Sequence, residues 1–405
     1  MMNTKEIIKR LREEISQTME GADDAQIYEY IEEKILGMEE LSEKSAEECS
    51  YLVQYVFHAL RSDLSILQPY LEDEEVAEIM VNGREKIFVE RKGKLQRVPI
   101  AFEDLEELEE VVRRAAARVH KEINELHPIV DARLPDGSRV NAVYGNIALG
   151  GPVMTIRKFP EMGFSMQDLI RFGTLSEACA RFLEQLVRAG YNLFVSGGTS
   201  SGKTTFLNVL SDAIPPAERV VVIEDAAELQ LRNVENLVRM ECRSANGEGM
   251  GRVTMAQLIR TALRMRPDRI IVGEVRGAEV MDMIHAMNTG HDGSLSTGHG
   301  NSVRAMFRRL ESMYLQAVSY PAEAIRSQIF EAVDIFVHLG RMPDGSRRLI
   351  AVTELAGLDE RGEPLFNPLF DYSAESGLQA TGNTLKRQEK IKWRGTDYGG
   401  GLQQI

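Results

Sequence analysis

The chain has 405 residues, enough for two or three domains with cores of their own. Apolar residues make up 43% and charged residues 27%, which excludes collagenous, low-complexity and disordered classes for the bulk of the chain. With 48 Lys and Arg against 62 Asp and Glu, the net charge is −14, a poor balance for wrapping nucleic acid or spreading on an anionic membrane.

The opening MMNTKEIIKRLREE lacks the apolar core of a secretory signal, and no apolar run approaches the ~18 residues of a membrane span. Residues 1–66 read as a helical region. Ile7, Ile8, Leu11 and Ile15 fall at helical spacing, and Tyr51, Leu52, Tyr55, Val56 and Leu60 repeat the pattern. The three cysteines, Cys49, Cys179 and Cys242, are far apart and form no CxxC pair. That spacing suits neither a disulfide framework nor a cysteine zinc site, and points to a reducing, cytoplasmic setting.

Residues 67–160 read as an α+β domain. KIFVERKGKLQRVPI alternates around Lys92-Gly93 as a hairpin would. A helix is expected over about 103–125, then a second hairpin in PIVDARLPDGSRVNAVYG and a strand in PVMTIRKF. The segment 159–173, FPEMGFSMQDLIRFG, holds one Pro and two Gly and reads as a linker. Over 174–375, helices alternate with the apolar strands YNLFVSG, RVVVIED, RIIVGEV and DIFVHLG, which signals an α/β domain with a mainly parallel sheet. The tail from 376 to 405 is polar and glycine-rich and is expected to fray.

Gly197-Gly198-Thr199-Ser200-Ser201-Gly202-Lys203-Thr204 fits GxxxxGK[ST], with an apolar strand before it and the helix-like TFLNVLSDAI, starting at Thr205, after it. This arrangement aims backbone N–H groups and a helix N-terminus at phosphate. Lys203 supplies positive charge at the β- and γ-phosphates, and the Thr204 hydroxyl can sit on Mg²⁺.

ATP hydrolysis also needs acids that hold the metal and position or deprotonate water. Two expected strands end in carboxylates, one in Glu224-Asp225 and one in Glu274. In an open α/β sheet both would face the ligand edge, although an acid there can also merely cap the following turn. Gly273 stands where many ATPases carry Asp, so Glu274 alone must serve the metal and its water. The stretch from Gly290 to Asn301 reads as a polar, glycine-rich loop carrying His291 and His299.

DARLPDGSRVNAV, TIRKF, GGTSSGKTT, VVVIEDAAELQL, LRMRPDRIIVGEVRG and NTGHDGSLSTGHGNS together resemble the type II and type IV secretion ATPases, most closely those of Tad/Flp pilus assembly. The resemblance covers roughly 70–360. It implies a RecA-like P-loop NTPase domain after an α+β N-terminal domain, and a homo-hexamer that hydrolyses ATP with Mg²⁺. It implies Glu224 as general base, Glu274 as the metal-side acid and His299 as the sensor of the γ-phosphate. The phosphate site would comprise Gly197 to Thr205.

The resemblance also implies arginines delivered to the nucleotide from the N-terminal domain. Pro135-Asp136-Gly137 suits a three-residue turn with a left-handed glycine, which sets Arg133 opposite Arg139 on one face. Arg157 is a third candidate. A second Arg-x-Pro-Asp-Gly-Ser-Arg, at 341–347, is expected to lie outside the site. Arg276 suggests an ion pair between subunits.

These readings combine into a cytoplasmic Mg²⁺-dependent ATPase, peripheral at the membrane, that drives platform proteins of a pilus or secretion assembly. No nucleic acid is expected as partner. The acidic N-terminal helices are candidate contact surfaces. The alternatives are an ATP-binding scaffold with little turnover and a RecA-like nucleic-acid translocase.

Overall fold

The computed structural model describes residues 4–19, 21–38, 41, 45–119, 121–134, 136–158, 163–243, 245 and 250–394. The chain divides into two compact units, Met1–Glu161 and Met162–Ile405.

The first unit opens with helices α1 (Thr4–Thr18), α2 (Asp24–Leu36), α3 (Ala46–Arg61) and the short α4 (Gln68–Glu72). Asp23 with Gln26, and Ser45 with Glu48, form capping boxes that fix where α2 and α3 begin. Strands β1 (Val76–Asn82), β2 (Lys86–Arg91) and β3 (Lys94–Arg97) follow, then α5 (Leu105–Ala117), β4 (Ile129–Arg133), β5 (Arg139–Val143) and β6 (Val153–Arg157). They form one antiparallel sheet in the order β3-β2-β1-β6-β5-β4. Lys92 and Gly93 both take positive φ, +52° and +76°, which is what a two-residue hairpin turn requires.

Two expectations need correction here. The helical region expected over 1–66 is not separate: Ile7, Leu11, Ile31 and Val56 share one buried cluster with Ile79, Val111 and Ile156 of the sheet and α5. Small amphipathic helices bury enough apolar surface only by sharing a core. The helix expected to reach 125 stops at Ala117. The Lys121 amide folds back onto the Ala116 carbonyl, and Asn124 Oδ1 takes the amides of Leu126 and His127.

The second unit begins with α6 (Met166–Arg171), α7 (Glu177–Arg188), β7 (Leu193–Gly197), α8 (Lys203–Ser211), β8 (Val220–Glu224), β9 (Leu237–Glu241), α9 (Met255–Ala262) and β10 (Arg269–Val272). It continues with α10 (Val280–Met287), β11 (Leu295–His299), α11 (Val303–Ala317), α12 (Ala322–Ala332), β12 (Ile335–Arg341), β13 (Arg347–Leu358), β14 (Pro364–Ser373), β15 (Gly377–Ala380) and α13 (Glu389–Arg394). The sheet order is β15-β14-β13-β12-β7-β11-β10-β8-β9. From β12 to β9 every pairing is parallel, and β13 to β15 add an antiparallel extension. Both faces are covered. Along β8, Val220 and Val222 enter one core while Val221 and Ile223 enter the other.

Of the expected linker 159–173, residues 159–162 lie outside the described residues. Part of the remainder is α6, which Ser165 and Asp168 start with a capping box. The tail expected to fray from 376 is ordered through Arg394. β15 pairs with β14, and the fully buried Glu354 carboxylate accepts the amides of Lys386 and Arg387. Asp334, 1% exposed, accepts the Asn192 amide at 2.8 Å and pairs with Arg387 at 3.1 Å and Lys390 at 2.7 Å. Residues 395–405 lie outside the described residues.

Asp334→Ala would leave the buried Asn192 amide without its acceptor and strip Arg387 and Lys390 of the buried charge that they share, leaving them the Phe330 carbonyl and Asp292. It is expected to lower unfolding stability by about 3 kcal/mol and to expose the 384–394 segment to protease. Urea denaturation and limited proteolysis check this, and an unchanged midpoint counts against the clamp.

Candidate active site

β7 lies between β11 and β12, so it ends at the centre of the sheet's carboxyl edge. Gly197 must be glycine: a Cβ there would stand 2.4 Å from Ser201 Oγ and 2.6 Å from the Leu339 carbonyl. The chain then arches through Ser200 (φ +58°) and Gly202 (φ +91°) and enters α8 at Lys203. Gly202 is the N-cap and offers no side-chain acceptor, so the first amides of α8 remain available to an anion. Ser201 Oγ donates to the Gly198 carbonyl at 2.9 Å and steadies the arch.

Lys203 Nζ donates to the same carbonyl at 3.0 Å and to His299 Nδ1 at 3.3 Å. An ammonium only donates, so Nδ1 must accept and the imidazole proton resides on Nε2. That Nε2 lies 2.8 Å from Glu274 Oε1. The contact is not a hydrogen bond, and Oε1 is buried with no hydrogen-bond partner among the described residues. Glu274 Oε2 accepts from Arg276 at 2.8 Å, and Arg276 also lies 3.9 Å from Asp225. Lys203, His299, Glu274 and Arg276 thus form one continuous chain along the carboxyl ends of β7, β11 and β10.

Burial pushes the Lys203 ammonium below the usual lysine range, against the pull of Glu274. Burial, followed by the Lys203 charge, likewise lowers His299 and keeps the ring neutral near pH 7.

Glu224, at the end of β8, is 3% exposed. Its Oε1 accepts the amides of Glu228 and Leu229 at 2.8 and 2.9 Å, so it does organise the following turn. Burial still raises its carboxyl above the usual range, with those two amides opposing. A Cβ on residue 273 would come within 2.9 Å of Glu224 Cγ. Glycine at 273 therefore makes the room in which Glu224 sits.

The structure departs from the expected loop around His299. Leu295–His299 is the strand β11, paired with β7 so that His299 stands opposite Gly197. Gly298 there is packed within 3.1 Å of Phe194 and Met306, counted from the Cβ it lacks. His291 lies apart from the chain, bonded at 3.1 Å to the Ala286 carbonyl. Arg276, expected to pair between subunits, is engaged by Glu274 of its own chain. Among the described residues no cluster of three or more His, Cys, Asp or Glu could hold a metal alone. The orphaned Glu274 Oε1 and the half-buried Thr204 hydroxyl instead fit Mg²⁺ carried in by phosphates, which supply the remaining oxygens.

In the first unit, the β4–β5 hairpin sets Arg133 opposite Arg139, and Gly137 takes φ +90°. Pro135 of this turn lies outside the described residues. Arg139 stands opposite Arg157, Arg157 opposite Glu78, and Glu78 opposite Glu90. Five strands thus carry a single row on one face, three arginines followed by two glutamates.

The chain matches the family described as "Type II/IV secretion system protein" over residues 61–353. It belongs to that family. It is similar to a Mycobacterium tuberculosis protein named for conjugal transfer, 35% identical over 302 residues that cover 73% of this chain and 85% of that one. It is also similar to Type IV secretion system protein PtlH of Bordetella pertussis, 32% identical over 312 residues covering 71% and 92%. In fold it is similar to the pilus retraction motor PilT with bound ADP, with a TM-score of 0.52 and 20% identity over 83% of this chain and 88% of that one. This likeness puts the second unit among RecA-like domains.

In this secretion-family protein two neighbours of the site were not legible from motifs: the Arg276–Glu274 pair, and Arg347. The second Arg-x-Pro-Asp-Gly-Ser-Arg was expected to lie outside the site, yet Arg347 Nε reaches the Ser200 carbonyl of the phosphate loop at 3.4 Å. Only the pairing of β12 with β7 brings it there.

His299 should titrate below the ordinary histidine value of 6.5, since its imidazolium would be part-dry and beside the Lys203 cation. Lys203→Met should move the midpoint upward but not fully back. Proton NMR of histidine-labelled protein reads both, and a wild-type midpoint at or above 6.5 would mean that Glu274 governs the ring.

Proposed function

We propose that this chain is a Mg²⁺-dependent ATPase that works as a homo-hexameric motor for a type IV secretion or Tad/Flp-like pilus assembly. The observation that carries the reading is the chain from Lys203 through His299 to Glu274 beside an uncapped helix N-terminus. In this reading Gly197 to Thr205 cradle the phosphates and Lys203 meets the β- and γ-oxygens. Thr204 and Glu274 hold Mg²⁺, which when bound neutralises charge on those oxygens. Glu224, made more basic by burial, takes the proton of the attacking water. His299 reports the γ-phosphate because both of its neighbours, Lys203 and Glu274, respond to it.

Among the described residues no helix is long and apolar enough to cross a membrane. In this reading force passes to membrane platform proteins, and the protein acts from the cytoplasm as a peripheral component. The Tad/Flp assignment rests on the motif stretches around 131–157 and 288–302, and the hexamer on the family. In this reading Arg133, Arg139 and Arg157 serve the nucleotide, as the resemblance implies.

Lys203→Ala should abolish turnover and weaken ATP binding. Glu274→Gln and Glu224→Gln should lose turnover yet bind ATP. Gln at 224 keeps an acceptor for the amides of Glu228 and Leu229, so the fold is spared. Phosphate release and ATP binding, measured on each variant, check this. Wild-type protein that binds ATP without releasing phosphate would instead be a scaffold.

Arg133→Ala should lower turnover by roughly 10³-fold, as loss of an arginine finger does, while melting as the wild type does. Turnover within threefold of wild type would reduce the 133–139 hairpin to a turn.

A further inference from the structure

Arg347 opens β13 and stands opposite Arg341, the last residue of β12. β12 stays in register with β7 until Leu339 meets Gly197. There β7 gives way to the phosphate loop, while β12 runs on through Gly340 and Arg341 before the chain turns back. The hairpin therefore overhangs the loop on the flank of β7 away from β11.

Arg347 is exposed, yet its side chain is laid against the loop. Nε donates to the Ser200 carbonyl, and Cγ would lie 3.7 Å from a Cβ on Gly202. Among the described residues Ser200 is its one hydrogen-bond partner, so both terminal amino groups of the guanidinium have donors to spare.

We propose that Arg347 is a nucleotide-binding residue that grips the phosphates which are not transferred. The inference rests on the phosphate-loop reading above and deepens it. His299 and Glu274 line the β11 and β10 flank, where the γ-phosphate and water react in that reading. Arg347 lies on the opposite flank, with the loop between. It therefore faces the part of the nucleotide that ATP and ADP share. The Ser200 bond holds Nε, and the remaining fork is shaped for two phosphate oxygens. An interaction made equally with substrate, transition state and product strengthens binding without speeding chemistry. Its loss should raise KM and the Kd for ADP together and fall little on kcat.

Full-length wild type, Arg347→Ala, Arg347→Lys and Lys203→Ala are titrated with Mg²⁺ and ADP by calorimetry, and steady-state ATP hydrolysis is measured alongside. Arg347→Ala should weaken ADP about tenfold, equivalent to about 1.4 kcal/mol, and raise KM by a similar factor. Arg347→Lys should fall between it and the wild type, since an ammonium keeps the charge without the fork. An ADP affinity within twofold of wild type, or a loss confined to kcat, overturns the inference. If Lys203→Ala then still loses ADP, the phosphate-loop reading survives and only the role of Arg347 falls. If wild type binds no ADP, or Lys203→Ala binds it equally well, both fall together.

Discussion

The site turns on how the Lys203 charge is held. The ammonium is buried in the phosphate loop, and among the described residues its acceptors are a carbonyl and a neutral imidazole. A direct pair with Glu274 would consume the charge that phosphate is meant to meet. His299 stands between the two as a neutral spacer, and burial keeps it neutral. The arrangement is held by strand pairing: β11 must lie beside β7 for His299 to stand opposite Gly197. It also needs β10 beside β11, so that Glu274 arrives at the far side of the ring. The register of three parallel strands thus sets the electrostatics of one lysine.

Much of the fold was legible where side-chain periodicity is strong. The apolar strands β7, β8, β10 and β12 and both basic hairpins appear in the sequence as they do in the structure. β11 did not, because Leu295-Ser-Thr-Gly-His299 carries no apolar alternation. Leu295, Ser296 and Thr297 are buried in the centre of a parallel sheet, where Thr297 Oγ1 is satisfied by the Gly273 carbonyl. The ordered tail was hidden for a related reason. Its polar residues are held by Asp334 and Glu354, two buried carboxylates that lie more than 30 residues earlier in the chain.

The site shows the same division. Loop chemistry is written in consecutive residues, so Gly197 to Thr205 could be read directly. The acids at the strand ends were readable from position, but not their partners. Gly273 looked like a departure from the usual acid; the structure shows it as the space that Glu224 fills. Arg347 carries a motif that marks a turn and says nothing of which strands flank it. Local sequence specified the same turn twice, and neighbouring strands gave the two copies different surroundings.

The row across the first unit has a consequence for its mechanics. Arg133, Arg139 and Arg157 occupy directly opposed positions on adjacent strands, where side chains lie about 5 Å apart. Like charges at that spacing repel, and Glu78 and Glu90 continue the row on the adjacent strands. The row therefore carries its positive load at the β4, β5 and β6 end. Dissolved salt screens that load and a bound polyanion discharges it. Cohesion of this end is thus tied to the ionic surroundings, and an anion that settles on the row stiffens the same strands that bind it.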